Sequence, residues 1–93
     1  MIRLIEIYKN VSSTSDYKVR EVYINPKHVV ALRADERLNK MLSEGKLPDD
    51  LDARQSFTKV YVDRGQTGID FTVIGSVEHI KEKLNTGKQL LKG

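Results

Sequence analysis

The stretch that decides the fold is FTKVYVDRGQTGIDFTVIGSVEHIKEKL, residues 57–84. Residues 57–63 and 68–75 both have a strand pattern, in which residues two apart share a face and Val60, Val62 and Val73 fall on apolar faces. The segment between them contains glycines, which supply the backbone freedom of a tight hairpin. From Val77 onward the apolar spacing changes to three and four residues, the period of an amphipathic helix. The stretch therefore predicts strand, turn, strand and helix.

The predicted C-terminal helix has recognisable ends. Ser76 is the expected N-cap, and Val77, Ile80 and Leu84 form one apolar stripe. Glycine in a helix costs about 1 kcal/mol relative to alanine. Residues 85–87, Asn-Thr-Gly, therefore favour an end of the helix there, with residues 88–93 as a frayed tail, while Leu91 lies on the same heptad line and fits the alternative of a helix that continues through Gly87.

Three further strands are predicted upstream, over residues 2–8, 18–24 and 28–33. Asp35 then caps a short helix that ends at Gly45, and a loop rich in proline and aspartate leads to residue 56. The predicted fold class is α+β, mainly β. It comprises a five-stranded curled antiparallel sheet or small barrel, a short inserted helix and a C-terminal helix. Residues 1–93 form one domain, in which 35–56 is a helix-loop insert.

Composition limits the functional classes. The chain has 93 residues, 39% hydrophobic and 31% charged, and no cysteine, which excludes disulfides and thiolate chemistry. No apolar run reaches the roughly 20 residues that cross a bilayer, and the first residues lack the pattern of a signal peptide. We therefore expect a cytoplasmic protein without membrane contact. Residues 35–52 hold six acids and three bases, a net −3, so the rest of the +3 chain carries +6.

The residues available for catalysis are few. His28 and His79 are the only histidines, and no nucleophile motif accompanies them. His79 has no second histidine or aspartate four residues away, as a helical metal site would need. We expect a protein that is not an enzyme, with no catalytic residue, metal or cofactor.

The leading functional hypothesis is a small binding or adaptor module for a partner protein. The module would use a sheet edge or the 35–56 insert. In the insert, the candidate contact residues are Leu38, Met41, Leu42, Asp49 and Asp50. Under this hypothesis, residues 35–54 could be deleted without unfolding the core. A homo-oligomer formed through a strand edge is compatible with the same hypothesis.

The alternative hypothesis is a nucleic-acid-binding regulator. Phe57, Lys59 and Tyr61 share one face of a strand, because residues two apart point the same way. Aromatic rings that stack on bases, next to a cation that neutralises phosphate, are typical of single-strand binding. Lys27 and Arg64 complete this candidate set.

Two segments, residues 22–33 and 57–84, resemble the small FlbD-like proteins associated with bacterial flagella. The resemblance is carried by Ile24-Asn25 at a strand end and by Ser76 before an amphipathic helix. It continues through the strand residues Val29, Val30, Leu32, Val60, Val62, Gly65 and Val73. It implies a compact β domain with a terminal helix and no catalytic residues.

Overall fold

The computed structural model describes residues 1–9, 17–47, 51–52, 54–64 and 67–92, with the backbone alone described for Arg64, Thr67 and residues 87–92. A 3-10 turn, Pro26–His28, connects two of the strands. The elements follow the order β1 (Ile2–Lys9), β2 (Tyr17–Ile24), β3 (Val29–Ala34), α1 (Glu36–Ser43), β4 (Phe57–Arg64), β5 (Thr67–Ile74) and α2 (Val77–Lys92).

The five strands form one sheet in the order β2-β1-β5-β4-β3, and every neighbouring pair is antiparallel. Strands β2 and β3 are its edges, so the sheet is open and the barrel alternative is not adopted. The predicted fold class, α+β and mainly β with a curled five-stranded sheet, is confirmed. The predicted caps are also present, because Asp35 Oδ1 accepts from Leu38 N–H and Ser76 Oγ accepts from His79 N–H.

The connection between β2 and β3 explains why the sheet curls. Four gaps of about 4.8 Å would place the edges of a flat sheet ~19 Å apart. Only Asn25–His28 link the two edge strands, and most of that link is the 3-10 turn, which advances ~2 Å per residue. The edges must therefore approach each other, and Ile24 of β2 does share a buried cluster with Val62 of β4.

The concave face of the sheet holds the larger core. Ile80 and Leu84 of α2 pack there, while Val77 is half-buried. Gly75, with φ of +136°, allows the tight reversal from β5 into α2, since a Cβ at this position would lie 3.0 Å from Ile80 Cδ1. The strands contribute Leu4, Ile24, Val60, Val62 and Val73 to this core.

A second, smaller core lies on the convex face at one end of the sheet. Leu38 of α1 and Leu47 cover Ile7 and Phe57, and all four are buried. Met41 and Leu42 are half-buried at the same contact. The inserted helix is thus part of the packed structure and covers a sheet face that α2 does not reach.

The C-terminal helix is longer than predicted. It continues through Gly87 to Lys92, so the prediction of an end at residues 85–87 and a frayed tail from 88 is wrong. Glycine weakens a helix but keeps its N–H donor, so the backbone ladder can run on. No helix in the described part of the chain is long and apolar enough to span a membrane.

Candidate binding groove

A groove of about 770 Å³ opens on the concave side, at the end of the sheet away from α1. This volume lies within the ~300–1,000 Å³ of typical ligand sites. Its floor continues the larger core through Val22, Val62 and Phe71. The remaining lining residues are Met1, Glu6, Arg20, Tyr23, Ile24, Asn25, His28, Ile69 and Asp70.

The groove exists because β1 and β5 separate soon after they meet. They pair at two positions, Glu6 with Val73 and Ile7 with Thr72. Within the described residues, the Thr67–Phe71 part of β5 therefore pairs with β4 alone. An unpaired strand edge presents N–H and C=O groups that another extended chain can bind. Ile69, Asp70 and Phe71 place this edge directly beside the groove.

Exposed apolar surface is concentrated at the same end of the molecule. Met1, Tyr23 and Ile69 are 80%, 58% and 45% exposed and line the groove. Val30, 65% exposed, lines an adjoining hollow that shares Val62, Ile69 and Asp70 with the groove. Clustered apolar exposure of this kind is typical of interaction sites.

A charged pair forms one wall of the groove. Arg20 donates from Nε to Glu6 Oε1 at 2.8 Å and from Nη2 to Glu6 Oε2 at 3.4 Å. The guanidinium carbon also lies 4.0 Å from the centre of the Tyr8 ring. Hydrogen bonding and charge attraction from Glu6 raise the pKa of Arg20, so this cation is fixed in both charge and position.

The insert residues proposed for partner binding are mostly occupied within the protein. Leu38 is 6% exposed, and Met41 and Leu42 pack against the same cluster. A helix that covers its own sheet buries its apolar stripe there. The prediction of an exposed apolar stripe is therefore wrong for Leu38 and weakened for the other two side chains. Asp49 and Asp50 lie outside the described residues.

Hydrogen bonds fasten the insert to the sheet. Asp35 Oδ2 accepts from Thr72 Oγ1 at 2.8 Å, while its backbone N–H donates to Phe57 O at 2.8 Å. Asn39 Oδ1 accepts from Phe57 N–H at 2.8 Å. The expectation that residues 35–54 can be removed without harm to the core is wrong, because their loss would expose Phe57 and Ile7.

The row proposed for nucleic-acid binding is only partly on the surface. Phe57, Lys59 and Tyr61 share the convex face as predicted, but Phe57 is 1% exposed under α1 and offers no ring for stacking. Lys59 Nζ lies 3.7 Å from Asp70 Oδ2, and Tyr61 is half-buried. Lys27 is exposed in the 3-10 turn. The side chain of Arg64 lies outside the described residues.

The two histidines lie on different elements of the fold. His28 is exposed beside the groove and His79 is exposed on α2. Asp35, one of the acids that could be considered as a partner for His28, caps α1 and accepts a hydrogen bond from Thr72 Oγ1. Among the described side chains, no group of three or more potential metal ligands comes together.

Sequence reasoning missed Arg20, Glu6 and Ile69, the residues that characterise the groove. One signal was available, because Glu6 is an acidic residue between Ile5 and Ile7 in an apolar-rich strand, and a buried charge there requires a partner. No protein-family model, curated protein or solved structure matches this chain. The FlbD-like resemblance therefore stays a prediction, and the groove is interpreted from its own geometry.

Proposed function

We propose that this protein is a non-enzymatic binding module that captures an extended segment of a partner protein at the open edge of β5. The observation that carries the proposal is the two-residue pairing of β1 with β5, which leaves Thr67–Phe71 unpaired on one side within the described residues. Strand addition uses backbone hydrogen bonds for affinity and neighbouring pockets for specificity. The groove supplies such a pocket next to Ile69 and Phe71.

The apolar surface around the edge supports the same proposal. Tyr23 and Ile69 are both exposed and both line the groove. Protein interfaces favour aromatic residues at such positions. The 35–56 insert is the second surface proposed for partner binding. It is the weaker candidate, because its apolar side chains already contribute to the smaller core.

The test begins with a display library of random peptides selected on the full-length protein. A selected peptide is then synthesised with single N-methyl groups along its backbone. If the peptide adds to β5 as a strand, we expect methylation at alternate positions to weaken binding by about tenfold or more, because each lost N–H leaves a backbone acceptor unpaired. Equal tolerance at every position would contradict strand addition.

Two matched variants locate the binding surface. Ile69→Thr and Val19→Thr each replace a half-exposed apolar strand residue, 45% and 50% exposed, by a β-branched one. Val19 lies on edge strand β2, outside the lining of the groove. We expect Ile69→Thr to weaken peptide binding by about three- to tenfold and Val19→Thr to leave it unchanged.

A single-stranded nucleic acid is the alternative partner, favoured by the net charge of +3 and by the exposed Lys27. Asp70 pairs with Lys59 and would compete with a phosphate for this cation, which argues against nucleic-acid binding. A gel shift with poly(dT) and poly(U) at low salt checks this alternative. A shifted band that disappears when Lys59→Glu is combined with Tyr61→Ala would favour it, and the absence of a band would remove it.

Self-association through a sheet edge is a separate proposal. Strands β2 and β3 each present an outer edge in the described part of the sheet, and such edges can pair between copies. Gel filtration over a range of protein concentrations checks it. Elution that stays at the monomer position would exclude it.

A further inference from the structure

We propose that the segment bound in the groove carries an acidic side chain that binds Arg20. Apolar side chains would flank this acidic residue. This inference rests on the proposed function and adds the chemistry of the partner. It would make recognition depend on a carboxylate as well as on strand addition.

The strand register sorts charges between the two faces of the sheet. Among the strand residues that the structure describes, the charged side chains on the concave face are Glu6, Lys18 and Arg20, while α2 on the same face adds two acids and two bases that balance, Glu78, Lys81, Glu82 and Lys83. Glu21, Asp63 and Asp70 face the convex side by the same alternation. Because Glu6 is buried and already bound to Arg20, the charge that this face presents to solvent is positive. A carboxylate on the partner complements it.

Arg20 is prepared for such a contact. Glu6 holds its Nε and Nη2, the Tyr8 ring lies against its plane, and the Arg20 side chain is still 57% exposed. Within the described residues, Nη1 makes no hydrogen bond, so its donors remain available. A planar guanidinium fixed by a carboxylate and an aromatic ring loses little freedom when it binds a second carboxylate.

The other acid at the groove does not cancel this attraction. Asp70 lines the groove, but its Oδ2 lies 3.7 Å from Lys59 Nζ on the convex side. Its charge is therefore directed to a cation of its own. Lys18, on the same face as Arg20, forms no ion pair within the described residues and adds to the positive potential.

Strand geometry predicts the pattern of the partner segment. In a strand added to β5, alternate side chains face the concave side. One of them would cover the apolar floor at Ile69 and Phe71, and a neighbour two residues away would reach the wall formed by Arg20. We therefore expect an acidic residue with apolar residues two positions before or after it.

The experiment uses peptides selected from a random display library on the full-length protein. We expect the selected sequences to carry aspartate or glutamate at a fixed position within an alternating apolar pattern. Replacing that acid by glutamine or asparagine in a synthetic peptide should weaken binding by about tenfold or more, the typical loss for a charge-assisted hydrogen bond.

Three protein variants assign this preference to Arg20. Arg20→Gln should bind the acidic and amide peptides equally, and Arg3→Gln should keep the wild-type preference. Arg3 is a matched control, since its side chain is 58% exposed and pairs with Glu21 on the convex face. Glu6→Gln removes the competing charge and keeps an acceptor for Arg20. It should strengthen binding of the acidic peptide by about three- to tenfold, an effect that a merely structural role of the pair would not produce.

Arg20→Gln leaves Glu6 without its cation, so the double variant Glu6→Gln with Arg20→Gln is measured beside it, and thermal unfolding checks that each variant folds. The double variant should also fail to distinguish the acidic and amide peptides. Peptides that pair with β5 without an acid preference, or a preference that survives loss of Arg20, would overturn this inference and leave the proposed function standing. If no selected peptide pairs with β5, the result contradicts both this inference and the proposed function.

Discussion

The two ends of the curled sheet are both apolar, but they differ in what covers them. At one end, α1 and Leu47 bury Phe57 and Ile7 to 1% and 3% exposure. At the other end, Ile69 and Tyr23 remain 45% and 58% exposed beside the groove. A small domain has little apolar surface to bury. The uncovered end is therefore the surface at which we propose that a partner binds.

Backbone hydrogen bonding follows the same division. At the covered end, Asp35 and Asn39 bind both backbone groups of Phe57, the first residue of β4. At the open end, β5 has a described partner on one side only over Thr67–Phe71. The comparison distinguishes a packed part of the chain from the part that we propose binds a partner.

The largest expected effect comes from Phe57→Ala at the covered end. Removal of a buried aromatic side chain leaves a cavity, so we expect the free energy of unfolding to fall by about 3–5 kcal/mol. The matched change at the open end, Ile69→Ala, should cost about 1 kcal/mol or less, because the side chain is already half in water. Urea unfolding measures both, and similar losses would contradict the division.

Loss of the cap is the next largest effect. Asp35→Ala removes the acceptor for Leu38 N–H and for the hydroxyl of Thr72, which is 9% exposed. We expect the free energy of unfolding to fall by about 1–3 kcal/mol. Asn is the informative replacement, since Asp35→Asn can keep the cap and should recover most of the loss. A stability equal to that of wild type in Asp35→Ala would show that α1 is not held by this residue.

Tyr23 offers a smaller effect on stability but a selective one on binding. Tyr23→Ala removes an exposed ring at the groove whose hydroxyl contacts only Glu21 among the described residues. We expect stability to change by about 0.5 kcal/mol or less and affinity for a selected peptide to fall by about tenfold. Isothermal titration with unfolding curves separates the two quantities. A large loss of stability with unchanged peptide binding would show that Tyr23 serves the stability of the fold and not binding.

The smallest expected effect concerns the loop that follows α1. Backbone and side-chain hydrogen bonds from Arg54 lower the pKa of Asp52 below its usual value of 3.8. A lowered pKa means that the carboxylate stabilises the fold above pH ~4, and that this contribution fades as the pH falls through the lowered value. Asp52→Asn should therefore reduce the melting temperature slightly at pH 7 and by less at pH 2. An equal reduction at both pH values would assign the effect to something other than charge.

Local patterns were enough to predict the elements and most of their ends, but not the C-terminal end of α2. Alternation identified the strands, and Asp35, Gly45 and Ser76 marked helix ends that the structure contains. The same alternation placed Phe57 on the face of Lys59 but could not tell that α1 covers this position, because coverage depends on tertiary packing. The groove could not be predicted either, since it follows from the long-range register between β1 and β5.

Amide hydrogen exchange on the free protein and on its complex with a selected peptide tests the central claim most directly. We expect at least one amide among Ile69, Asp70 and Phe71 to gain protection when the peptide binds, with no comparable change in α1, because the added strand would pair with the open edge of β5. Protection confined to α1, to β2 or to β3, with no change at these three residues, would contradict it.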